Sequence, residues 1–129
     1  MTPDLTRIAA ALNAYPWTPG AFSAHFADAP RYCAIGLLLR YAGVAQPEVA
    51  CIGSPSALWR RYGMLLQVEY GIPDLRTAIA VMQANDGARS HAEAIERVLG
   101  VLTGASVAER SRAFAADRGD DAGALALLA

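Results

Sequence analysis

Apolar residues recur at helical spacing along almost the whole chain. No stretch alternates apolar and polar residues as a half-buried strand would. Leu5, Ile8, Leu12 and Tyr15 fall on one face of a first helix. Thr2 is placed to cap it, with Pro3 at the first helical position, where the missing N–H costs nothing. Pro16 and the Trp17-Thr18-Pro19-Gly20 segment end it, because each proline removes a donor and disfavours helix in the residue before it. Residues 21–27 predict a short helical turn.

Asp28-Ala29-Pro30 is a second start signal, and residues 31–41 after it are apolar nearly all round. A helix without a polar face is buried on several sides. The pattern therefore predicts a central helix over about residues 30–42, with Gly36 admitting a close neighbour and Gly43 as its stop. Residues 45–53, with Pro47, form a loop or short helix. Ser54-Pro55 opens the next helix, striped by Leu58, Tyr62, Leu65 and Leu66, with Gly63 as a point of bending. Tyr70-Gly71-Ile72-Pro73 closes it. Asp74 caps a helix bearing Leu75, Ala78, Ile79 and Met82, and Asn85-Asp86-Gly87 reads as the turn that ends it. Capping boxes at Ser90-His91-Ala92-Glu93 and Ser106-Val107-Ala108-Glu109 start two more helices. Residues 122–129 form an apolar tail, either docked or frayed. The sum is an all-α fold: one domain over residues 1–129, a compact bundle of about five to seven helices around the central one.

Composition narrows the function classes. The chain has 129 residues, 54% hydrophobic and 18% charged, with mean hydropathy +0.24. A domain of this size buries enough surface to fold without disulfides or metals. The formal net charge is −1, and all 11 basic residues are arginine. Arg60-Arg61 is the only adjacent basic pair, too little for the electrostatic footprint of a nucleic-acid binder or a helix-turn-helix module. The N-terminus carries Asp4 where a signal peptide would carry positive charge. The longest apolar stretch, residues 32–39, is far short of a bilayer span. These features predict a soluble, cytoplasmic protein without a membrane partner. Cys33 and Cys51 lack CxxC spacing and read as free thiols, with a structural disulfide between them as the alternative.

Cys33 is the residue with the most chemistry to offer. It falls in the first turn of the expected central helix, where unpaired N–H groups and the helix dipole favour a thiolate. Papain-like enzymes set their nucleophile in a comparable place. The bases on offer are His25 and His91, and a Cys33–His91–Asp86 grouping, with Asn85 as an alternative orienting residue, has the residue types for acyl transfer or amide hydrolysis. The plain alternative makes Cys33 a small packing residue and His91 an exposed first-turn residue. Asn85-Asp86-Gly87 lacks the alternating donors of a calcium loop. No phosphate-cradling glycine motif, HExxH or GxSxG occurs, so no metal and no cofactor is expected. Trp17, in its proline-bounded loop, either lines a binding surface or folds over the bundle.

Three motifs taken in order, Trp17-Thr18-Pro19-Gly20, Cys33-Ala34-Ile35-Gly36-Leu37-Leu38 and Ala84-Asn85-Asp86-Gly87 before the helix at residues 95–102, resemble a group of small bacterial and phage proteins with no established activity. The resemblance covers roughly residues 15–103. Leu37 stands where that group has a smaller residue. It implies that Trp17, Cys33, Gly36, Asn85 and Asp86 share one neighbourhood, with Asn85 and Asp86 capping or bridging backbone near the start of the Cys33 helix. With no complete catalytic signature and a high apolar content, the leading expectation is a non-catalytic binding or regulatory module. Its partner is an unidentified protein or a second copy of the chain. The alternative is a cysteine-dependent hydrolase or acyltransferase using Cys33 with His91 or His25.

Overall fold

Residues 34–39 are all buried, and this run of Ala34, Ile35, Gly36, Leu37, Leu38 and Leu39 is the centre of the molecule. The computed structural model describes residues 2–25 and 29–103, with residue 25 described in its backbone only. Among these residues there are six helices: α1 (Leu5–Leu12), α2 (Ala34–Tyr41), α3 (Gln46–Ala50), α4 (Pro55–Tyr70), α5 (Leu75–Asp86) and α6 (His91–Leu102). Helix α2 is the expected central helix. Helices α1, α3, α5 and α6 all pack against it, while α4 packs on α1 and α5. The core adds Ile8, Leu12, Val49, Leu58, Leu66, Val81 and Val98 from the other helices. No helix is long and apolar enough to cross a membrane among the described residues.

The boundaries follow local chemistry. Asp4, not Thr2, caps α1, because its carboxylate accepts from the Arg7 N–H and its own N–H is tied to the Tyr70 carbonyl. Ser54, Asp74 and Ser90 cap α4, α5 and α6 as expected, each accepting from the backbone N–H three residues on. Helix α4 runs unbroken through Gly63, whose missing side chain leaves room for the Trp59 ring. Gly71 ends α4 in the left-handed region at φ 71°. The second capping box and the apolar tail lie outside the described residues.

Two expectations near α2 need correction. Residues 21–25 form no helical turn. Instead β1 (Ala24–His25) pairs antiparallel with β2 (Pro30–Arg31), in a register that sets Ala24 opposite Arg31. Helix α2 also starts later than residue 31, at Ala34. The reason is that the loop of residues 16–22 runs alongside residues 32–33, with Trp17 and Tyr32 forming a parallel bridge. The Tyr32 N–H donates to the Pro16 carbonyl, the Thr18 N–H to the Tyr32 carbonyl, and the Cys33 N–H to the Ala21 carbonyl. Backbone groups committed to those bonds cannot join a helix. Gly36 is the contact that admits this layer. A Cβ there would lie 2.0 Å from the Phe22 carbonyl oxygen.

Candidate functional site

The start of α2 leaves backbone N–H groups without helical partners, and Cys33, its N-cap, makes no side-chain capping hydrogen bond. The partner comes from another helix. Asn85, fully buried one residue before the end of α5, accepts the Ala34 N–H on its Oδ1 at 3.0 Å. The same oxygen accepts the indole N–H of Trp17 at 2.7 Å. Asp86, the last residue of α5, accepts the Gly20 N–H at 2.9 Å on its Oδ1, which also faces the Asn85 amide nitrogen at 3.3 Å. One helix end thus fastens the 17–20 loop and the first turn of α2 together. The capping role that the sequence resemblance implied at the start of the Cys33 helix is filled by Asn85, while Asp86 holds the Gly20 backbone instead.

His91 closes the other side of Trp17. The two rings stack with centroids 6.1 Å apart and planes 8° from parallel. Its Nε2 lies 2.5 Å from the Leu12 carbonyl. A carbonyl only accepts, so that nitrogen carries the proton. Leu12 ends α1, and its carbonyl is one of those a helix terminus leaves unpaired. His91 is therefore a first-turn residue of α6 with a partner, not a freely exposed one.

Cys33 and Cys51 are both free thiols, the first buried and the second exposed. Burial pushes the Cys33 thiol up to about 11, and the Asp86 charge acts in the same direction. The N–H groups of Gly36 and Ile35 favour the thiolate, but more weakly. The helix-start effect anticipated from sequence is thus present and outweighed by desolvation. The thiol is a poor nucleophile in this state.

The structure therefore brings Trp17, Asn85, Asp86 and His91 together around the backbone that follows Cys33. The side chain of His25 lies outside the described residues. No group of three or more histidine, cysteine, aspartate or glutamate side chains is arranged to hold a metal ion among the described residues. The backbone participants, Gly20 N–H, Ala34 N–H and the Leu12 carbonyl, left no signal in the sequence beyond the glycine in the loop.

A different face was not anticipated at all. Helix α4 exposes Met64 at 77% and Val68 at 74%, with Arg60 and Arg61 exposed one turn earlier. Met64 and Val68 lie off the apolar stripe that packs α4 inward, which is why periodicity did not single them out. Comparison with protein-family models, with curated proteins and with solved structures returned no match.

Proposed function

We propose that the protein is a non-catalytic binding module whose contact surface is the outer face of α4. The observation that carries this reading is the pairing of two large exposed apolar side chains, Met64 and Val68, with the adjacent cations Arg60 and Arg61. Residues at positions i, i+4 and i+8 share a helix face, so Arg60, Met64 and Val68 form one stripe. Its charge complement is an amphipathic helical segment with carboxylates one turn ahead of its apolar residues. Arginine suits that task because its fork pairs carboxylates bidentately. The polar groups that could have served catalysis are meanwhile engaged in the fold: both donors onto Asn85, the Gly20 N–H onto Asp86, and His91 onto Leu12.

Fluorescence anisotropy tests the reading on the full chain. Labelled helical peptides carrying the acidic-then-apolar arrangement should bind, and scrambled peptides of the same composition should bind at least tenfold more weakly. A Met64→Asp/Val68→Asp variant, altered only at exposed positions, should lose the preference. Equal binding of ordered and scrambled peptides, or no effect of the variant, contradicts the assignment.

A further inference from the structure

Met64 and Met82 sit in opposite surroundings. Met82, on α5, is half-buried and packs against the core, whereas Met64 is 77% exposed on the outer face of α4. A thioether that solvent reaches is the one that peroxides oxidise first. The place of Met64 on the face gives that reaction a consequence. It lies between Arg60 and Val68, four residues from each. A methionine on a helix leans back over the turn before it, here the turn of Arg60 and Arg61.

We propose that Met64 is an oxidation site, and that its conversion to the sulfoxide releases the partner of the α4 face. The proposal rests on the reading of α4 as a contact surface and names its regulation. The oxidant is hydrogen peroxide. The Met64 sulfur attacks one peroxide oxygen, an S–O bond forms as the O–O bond breaks, the sulfur gives up two electrons, and the other oxygen leaves as water. The product weakens the face in two ways. The apolar centre of the stripe becomes a polar group, which costs free energy when an apolar side chain of the partner strips its water. The new oxygen is also a hydrogen-bond acceptor four residues from Arg60 and three from Arg61, the spacings at which helical side chains meet. It therefore competes with the partner's carboxylates for the same guanidinium groups. Two thiols reverse the change through a methionine sulfoxide reductase, forming a disulfide while the oxygen leaves as water. The fold is spared, because Met64 is not part of the core.

Hydrogen peroxide treatment of the full chain, read by peptide mass spectrometry and by anisotropy with the acidic-then-apolar peptide, tests the proposal. Met64 should oxidise at least threefold faster than Met82. The chain carrying Met64 sulfoxide should bind the peptide at least tenfold more weakly than the untreated chain, with unchanged urea unfolding. Sulfoxide reductase with dithiothreitol should restore binding. A Met64→Leu chain, which keeps an apolar side chain, should bind equally well before and after treatment, and it controls for oxidation of the exposed Cys51. Met64 oxidation no faster than that of Met82, or full affinity in the sulfoxide form, overturns the proposal. An equal loss in the Met64→Leu chain also overturns it, by moving the effect to another residue. In those cases the untreated chain still prefers the ordered peptide, and the contact-surface reading stands. If the untreated chain shows no such preference, that reading fails and the oxidation proposal fails with it.

Discussion

A single oxygen of Asn85 holds Trp17: the indole N–H reaches the Asn85 Oδ1 at 2.7 Å while that atom also accepts the Ala34 N–H at 3.0 Å. The two residues lie 68 positions apart in sequence, and the bond ties a loop that precedes the central helix to the end of α5. Because Asn85 is fully buried, water cannot replace it as the acceptor.

Substituting Asn85→Leu keeps the size of the side chain and removes the acceptor from two donors. Each buried donor left unmade costs about 1–3 kcal/mol, so the loss of folding stability from two should be about 2–6 kcal/mol by urea denaturation. Trp17→Phe keeps the ring on His91 and should cost about 1 kcal/mol. The double variant should cost less than the sum, since the two changes share one bond. Additive losses would mean that the pair is not coupled.

Glycine substitutions should separate close packing from helix propensity. Gly36→Ala drives a Cβ into the Phe22 carbonyl, and backbone there cannot yield without moving the residues 16–22 layer. A loss of about 3 kcal/mol or more is expected. Gly100→Ala, in α6, meets nothing within 4 Å of the new Cβ and should gain about 0.5–1 kcal/mol. Thermal or urea unfolding of both variants checks the contrast, and similar effects of the same sign would contradict it.

The helices were legible because their apolar stripes and caps are local. Ser54, Asp74 and Ser90 announce their helices within three residues, and the unbroken apolar run of residues 34–39 marks α2 as central. The start of α2 was not legible, because the bonds that hold Tyr32 and Cys33 in extended form are made with Pro16, Thr18 and Ala21, well back along the chain. The hairpin of β1 and β2 was hidden for another reason: strands of two residues each are too short to show an alternating pattern. At the candidate site, Trp17, Cys33, Asn85, Asp86 and His91 were all named from sequence. Their partners were not, because most are backbone groups that every residue carries. The sign of the shift at Cys33 depends on burial, which the helix-start position alone does not reveal.

Alkaline pH should destabilise the fold partly through Cys33. The folded thiol titrates near 11, above the ordinary value of about 8.5 for an unfolded cysteine. The unfolded state therefore loses its proton first, and stability contributed below pH ~8.5 is lost as pH rises towards 11. Tyr70, whose buried hydroxyl donates to the Leu38 carbonyl, is shifted upward too and adds a loss of the same sign at higher pH. Cys33→Val should flatten the fall in unfolding free energy between pH 8 and 10, by at most about 2 kcal/mol. An unchanged slope would mean that the thiol is not desolvated.

The central claim is that the residues suited to catalysis are committed to holding the fold. Alkylation of Cys33 in the native chain, timed by peptide mass spectrometry with exposed Cys51 as the internal standard, tests it most directly. The account predicts that Cys51 labels within minutes at pH 8, while Cys33 labels only as fast as the protein unfolds and more readily as urea is added. Rapid native labelling of Cys33, with an apparent pKa below the ordinary ~8.5, would contradict it and put the hydrolase reading ahead of the binding one.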